Sequence, residues 1–321
     1  MRLVAFSVVV ACAWFVAVNL VASAVAWWLT PAVVSRTAGF DAAGRASALF
    51  AWRMWPSVLS LMVSIGVAWP SFLMHESSSA DEPLTGWLIA AIAIAVALLA
   101  MGVGAVWRAS RAAHVRATRW KAGARPVGPG TLLVARDLAT AAVAGVWRPT
   151  VFVSRRLSDV LTPGELRAVL AHEWAHAAAR DNVKRALLLA APDPMRFTRR
   201  GATIVEGWMT ATEHAADDRV AALGRAAAVD LASALVKAAR VLGAGGAEPV
   251  LVRNVAGHGD LPGRVLRLLD DADSHRRATV LWPRLLMRGL AAVMVLGPAV
   301  CTPALSPAVH AVSEFFVNGR F

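Results

Sequence analysis

The sequence predicts a mainly α membrane protein, with four transmembrane helices and a cytoplasmic α+β domain between the third and the fourth. Three observations predict it. The chain of 321 residues is 57% hydrophobic and 17% charged, with a mean hydropathy of +0.55, too apolar for an ordinary soluble domain. Four charge-free stretches are long enough to cross a bilayer, which takes roughly 20 residues at about 1.5 Å each. Between the third and fourth of them the composition turns to a polar and apolar mixture punctuated by turn residues and helix caps.

Residues 1–107 carry three of these spans, over about 3–29, 54–74 and 86–107. The first ends on Trp27 and Trp28, which suit a membrane interface. A cleaved signal peptide is the rival reading, but the apolar stretch far exceeds the roughly 7–15 residues of a signal core. Residues 279–321 hold the fourth span, about 289–307, and a short external tail. Pro56 and Pro70 in the second span, and Pro298 and Pro303 in the fourth, allow for kinks.

Flanking charge sets the orientation, because Arg and Lys are retained on the cytoplasmic side. Arg36, Arg45 and Arg53 lie between spans one and two, whereas the next loop carries Glu76, Asp81 and Glu82 and no base. The third span leads into Arg108, Arg111, Arg116, Arg119, Lys121 and Arg125, and Arg276, Arg277, Arg284 and Arg288 precede the fourth. Residues 108–278 are therefore predicted inside a bacterial plasma membrane and both termini outside, with only Arg2 opposing. The bilayer, with its anionic lipid, is then the partner of the +12 net charge. No helix-turn-helix or zinc-finger pattern accompanies the charge, which excludes direct nucleic-acid binding. Cys12 and Cys301 fall in apolar runs and read as buried small side chains, neither a disulfide framework nor a thiolate metal site.

Within 108–278, Gly123, Pro126, Gly128, Pro129 and Gly130 read as a linker. Thr131 to Ala135 and Thr150 to Ser154 read as β-branched strands, with a small-residue stretch and the turn Trp147-Arg148-Pro149 between them. From Thr162 to Leu242 the chain looks helical. Thr162 is a predicted N-cap, Pro163 sits where a missing N–H costs nothing, and Glu165 completes a capping box, so a helix runs through His176. A second helix is predicted from near Thr203 to Gly224, and a third from about Ala226 to Leu242.

The first of these helices carries His172-Glu173-Trp174-Ala175-His176. Residues four apart share a helix face, so His172 and His176 can present imidazoles to one metal ion. Glu173 leans beside them, placed to take a proton from metal-bound water without being a ligand. Chance would supply this pattern in about one in 200 chains of this composition. A catalytic zinc ion needs a third protein ligand and an open position. Glu213 is the candidate, with Asp217 one turn later able to orient a ligating His through its other ring nitrogen. Asp217 or Asp218 as the ligand, with Glu213 a surface carboxylate, is the alternative. Asp181 either supports the site or pairs with Arg180 or Lys184. The chain has no tyrosine, so transition-state stabilisation would fall to a His or Arg; His214 and His258 are the candidates, the latter preceding Arg264.

Several segments resemble the metallopeptidase domain of BlaR/MecR-type membrane proteases: Arg148 to Ser154, Leu161 to Leu166, Val169 to His176, Arg180-Asp181-Asn182, Glu213-x-x-x-Asp217 and Arg264 to Leu268. The resemblance implies a zincin-like (gluzincin) fold, one zinc per chain, and a protein or peptide substrate. In that family an external signal activates the inner domain, and cleavage ends repression by a DNA-bound regulator, which makes a transcriptional repressor the implied partner. The chain ends about fifteen residues after its last predicted span, which leaves out an extracellular penicillin-binding domain and matches the shorter, sensorless members. Ste-type CAAX and heat-shock membrane proteases share the two-His motif and the later Glu-x-x-x-Asp; the charge-derived topology and Arg180-Asp181-Asn182 favour the first family. A non-catalytic receptor built on a zinc-stabilised domain is the reading from another class. Glu173 argues against it, since a structural site has no use for a base. A substrate strand would pair with an edge such as Thr150 to Ser154.

Overall fold

The computed structural model describes residues 2–75, 85–134, 138, 140–146, 148–244, 261–270, 305 and 307–313. Three helical segments among them are long and apolar enough to cross a membrane, Phe6–Thr37, Ala42–Met74 and Gly86–Lys121. They belong to α1 (Arg2–Thr37), to α2 (Ala42–Val63) with α3 (Trp69–His75), and to α4 (Gly86–Lys121). Of the predicted fourth span, all but residues 305 and 307 lies outside the described residues, as does His258. A π-helical turn, Ser64–Ala68, joins α2 to α3. It precedes Pro70, which withholds the N–H that a regular helix needs, so the predicted kink takes the form of a widened turn.

Helices α1 and α2 run antiparallel, and side-chain hydrogen bonds fix their register. Trp52 donates to Thr30 at 3.2 Å, Asn19 to Ser60 at 3.0 Å, and Trp69 to Ser7 at 3.0 Å. Basic residues Arg36, Arg45 and Arg53 lie toward one end of this pair, and α4 continues past its apolar stretch to Lys121 at its own basic end.

There the chain enters a four-stranded sheet of β1 (Arg125–Gly128), β2 (Thr131–Val134), β3 (Ala141–Ala144) and β4 (Thr150–Ser154), in the order β1-β2-β4-β3. Strands β2 and β4 pair in parallel, and β1 and β3 flank them antiparallel. The predicted linker thus contributes strand β1, because its glycines and prolines make the tight β1–β2 turn rather than a free tether. Val151, Phe152 and Val153 are fully buried. Flanked on both sides, β4 is an inner strand, which corrects its reading as an edge; the edges are β1 and β3, and the alanines of β3 carry no strand signal of their own. Trp120 at the end of α4 packs on Phe152, ring centroids 5.4 Å apart.

After the short α5 (Arg155–Ser158) come the helices α6 (Pro163–Ala179), α7 (Asp181–Ala190), α8 (Arg199–Ala221), α9 (Arg225–Ala244) and α10 (Leu261–Leu269), and residues 307–313 are also helical. Besides the predicted stop at Gly224, the region read as helical is broken twice. Arg180 takes the left-handed conformation, φ 55°, and the Pro-Asp-Pro at 192–194 turns the chain from α7 into α8. Helix α8 starts at its Thr198 cap, several residues ahead of the predicted Thr203. It packs lengthwise on α2, burying Ile204, Trp208 and Ala211 against Ala46, Leu49 and Phe50. Helices α6, α8, α9 and α10 share a second core of Ala168, Val220, Leu231 and Leu268.

Candidate metal centre

Helix α6 is placed by its capping box. The Thr162 N–H donates to Glu165 Oε2 at 2.7 Å, and the Glu165 N–H to Thr162 Oγ1 at 3.2 Å. Glu165 is held in turn by Ser233 at 2.5 Å and Lys237 at 2.7 Å from α9. Three turns on, the helix presents His172 and His176 to α8. Their Nε2 atoms face each other at 3.2 Å. Glu213 closes the group, with Oε2 3.5 Å from His172 Nε2 and Oε1 3.6 Å from His176 Nε2.

Each imidazole has a carboxylate behind it. Arg180 ends α6 in the left-handed region and so brings Asp181 back under the last turn, where Oδ2 lies 2.8 Å from His176 Nδ1. The other oxygen of Asp181 is 3.4 Å from Lys184. Asp217 Oδ1 lies 3.1 Å from His172 Nδ1, within ion-pair reach although the ring nitrogen is not aligned for a hydrogen bond. A proton held on each Nδ1 leaves both Nε2 lone pairs free to face one point.

Arg264, from α10, is the principal residue whose role the sequence reading missed, naming it only after His258 and at the start of a resembling segment. It is 1% exposed. Its Nε and Nη2 donate to the two oxygens of Asp217, both at 2.8 Å, and Nη1 is 3.0 Å from Glu213 Oε2. Arg225 caps the carbonyls of Leu268, Leu269 and Asp270 at the end of α10, and Arg267 pairs with Asp218. Asp218 is not among the donors that converge at the site, which are His172, His176 and Glu213. A buried arginine directly after Pro262-Gly263, in the first turn of α10, could have been flagged only by asking what neutralises two buried carboxylates.

The electrostatics follow the geometry. Burial alone would lower the His172 pKa, but Asp217 and Glu213 more than reverse this and raise it to about 10. Burial opposes ionisation of Glu213 as well, yet His172, Arg264 and His176 bring it down to about 2. The pocket stabilises positive charge where the imidazoles meet. Glu173 behaves differently: burial pushes its carboxyl up, against the pull of His172 and His176, and it makes no hydrogen bond or ion pair among the described residues. His214 is the next residue after Glu213 and so lies about 100° around α8. It is outside the donor group, its pKa lowered by burial and by Arg267.

Residues 114–195 match the model of Peptidase family M48. The match spans the sheet, α6 with both histidines, and Asp181, and it ends before Glu213. It supports a metalloprotease of the M48 family; it does not single out the BlaR/MecR type. No curated protein and no solved structure matches the chain.

Whether an M48-type zinc ion fits can be judged from the donor atoms. Tetrahedral bonds of about 2.0–2.2 Å place donors roughly 3.3–3.6 Å apart. The two distances to Glu213, 3.5 Å to Oε2 and 3.6 Å to Oε1, sit within that range, and the 3.2 Å between the Nε2 atoms falls just below it. A cleft beside His176, lined by Val143, Gly145, Pro149 and Asn182 among others, opens onto the site. Asn182 forms its floor by donating to the carbonyls of Val143 and Gly145 at 3.3 and 3.0 Å, which ties edge strand β3 to the start of α7. On the other side, the Trp174 ring lies against Gly130 in the β1–β2 turn, whose φ of +65° and lack of Cβ make room for it.

Proposed function

We propose that the protein is a membrane-embedded zinc endopeptidase in which His172, His176 and Glu213 hold the metal, Asp181 and Asp217 orient the two imidazoles, and Glu173 is the base. The observation that carries this reading is the convergence of two Nε2 atoms and one carboxylate at zinc-ligand spacing, each imidazole backed by a carboxylate. A bound zinc ion would supply an acidified water and polarise the scissile carbonyl. Glu173 would take the proton of the attacking water and return it to the leaving amine, a task suited to a carboxyl with a raised pKa. Arg264 holds Glu213 and Asp217 ionised and in place. The β3 edge offers backbone groups for an extended peptide, with Asn182 fixing its distance from His176.

Flanking charge supports a cytoplasmic site, and the resemblance in Arg148 to Ser154 and Arg180 to Asn182 supports regulatory proteolysis such as repressor inactivation. A fourth crossing is supported by position: α10 packs at the site, whereas Ser313 accepts a hydrogen bond from Trp14 at 3.0 Å and Val309 packs on Val67 and Ala68 toward the other end of the bundle.

The test uses the full chain purified in detergent, with zinc content and cleavage of an unfolded protein measured together. Glu173→Gln should keep its zinc and lose activity by about 10²–10⁴-fold, whereas His172→Ala should lose the metal. Wild-type activity in Glu173→Gln would refute the mechanism. Cleavage of a purified repressor, set against general unfolded protein, separates a regulatory role from quality control.

A further inference from the structure

Residues 186–195, Ala-Leu-Leu-Leu-Ala-Ala-Pro-Asp-Pro-Met, carry one charge and are bracketed by Arg185 and Arg196. They form the tip of a helical hairpin, α7 leading in and α8 leading out, and this tip is wedged between the apolar helices. Asn19 of α1 donates to the Pro192 carbonyl at 2.9 Å. On α4, Gly102 lies so close to the Ala190 carbonyl that a Cβ would not fit. Arg53 of α2 donates to Asp193 at 2.7 Å, and Ser57 donates to the same carboxylate oxygen. Asn19, Arg53, Ser57 and Asp193 are all buried.

The depth of this contact follows from helix rise. The interface level is marked by Trp27, Trp28 and the Trp52–Thr30 hydrogen bond on α1 and α2, and by Trp107 and Arg108 on α4. From Thr30 to Asn19, α1 climbs roughly 16 Å, and from Arg108 to Gly102, α4 climbs roughly 9 Å, at about 1.5 Å per residue. Half of a hydrocarbon core is about 15 Å. The foot of the hairpin sits where an interface should be: Arg200 stacks on the Trp27 ring, 3.7 Å from its centroid, and donates at 2.7 Å to the Trp27 carbonyl, which Pro31 cannot reach for want of an N–H.

A chain turning inside hydrocarbon must satisfy its own backbone. Here Pro192 and Pro194 have no N–H to satisfy, Asn19 takes the Pro192 carbonyl, and the Met195 N–H donates to Asp193 Oδ1 at 3.0 Å. Leu187 and Leu189, in contrast, are 45% and 37% exposed among the described residues.

We infer that residues 186–195 are a re-entrant hairpin immersed in the hydrocarbon of the bilayer, with Leu187 and Leu189 against acyl chains and Asn19, Arg53 and Ser57 closing its polar turn. The inference rests on α1, α2 with α3, and α4 crossing the membrane, not on the metal chemistry. It is tested on the full chain in phosphatidylcholine–phosphatidylglycerol nanodiscs, with Cys12 and Cys301 replaced by Ala and single cysteines introduced. Leu187→Cys and Leu189→Cys are compared with Val96→Cys, 56% exposed on α4, and Leu223→Cys, 69% exposed after α8. A charged maleimide should label Leu223→Cys and fail to label the other three until the disc is dissolved in dodecyl sulfate. Labelling of both hairpin positions with Val96→Cys still shielded overturns the hairpin. Labelling of Val96→Cys as well overturns the bilayer placement on which it stands.

Discussion

Asp181 and Asp217 both stand behind an imidazole, yet they are held differently, and this sets what each contributes. Asp181 is shared with Lys184 at 3.4 Å and lies near the surface of the cleft. Asp217 is 1% exposed and gripped by both arms of Arg264. Replacing either by Asn removes the charge that orients its imidazole and should weaken zinc binding by about 10–100-fold, as measured by competition with a chelator. Asp217→Asn should also cost up to about 3–5 kcal/mol, because it leaves the buried Arg264 with Glu213 alone as its counter-charge, whereas Asp181→Asn should change unfolding little. Equal losses of stability in the two variants would contradict this assignment. At this scale the sequence was informative where spacing on one helix decides contact: His172 with His176, and Glu213 with Asp217. It was silent on Arg264, because that contact joins helices α8 and α10 across tens of residues, and no periodicity links the two.

Among the elements, α6 was the most legible, because its start is written in local chemistry at Thr162, Pro163 and Glu165. Strand β3 and the α7–α8 turn were not, since Ala141-Ala142-Val143-Ala144 adopts a strand only beside β4, and Pro192 to Pro194 turn only because the spans receive them. The capping box also makes a pH prediction. Burial works against the Glu165 charge, but Lys237, Ser233 and the Thr162 N–H outweigh it, holding the carboxyl at about 2 against an ordinary 4.5. A depressed folded pKa means that the ionised form stabilises the fold above pH 4.5 and that this contribution is lost as the pH falls toward 2. The difference in melting temperature between wild type and Glu165→Gln should therefore be full at neutral pH and shrink across that window. A constant difference from pH 7 to 2.5 would show that the charge of Glu165 does not stabilise α6.

For the molecule as a whole, the decisive contact is the one between α2 and α8. Sequence reading divides the chain at about residue 108 into spans and a domain, but α8, which carries Glu213 and Asp217, buries its other face on a predicted span. Ile204 and Trp208 are fully enclosed there with Leu49, Phe50, Leu188 and Met195. Each such aliphatic side chain is worth about 1.5–3 kcal/mol when buried, and a whole domain is stable by only about 5–15 kcal/mol. Cutting the chain at the apparent boundary would expose these side chains and leave Asp193 without Arg53. Residues 108–278 expressed alone should therefore fail to retain zinc and should be degraded rapidly by added protease, even though they contain every proposed ligand. Extending the fragment to include residues 1–107 should restore both zinc retention and protease resistance. If the isolated fragment binds zinc as tightly as the full chain, the metal centre is self-sufficient and α2 serves only as an anchor; if it does not, the first spans are part of the scaffold that holds Glu213 against the two histidines.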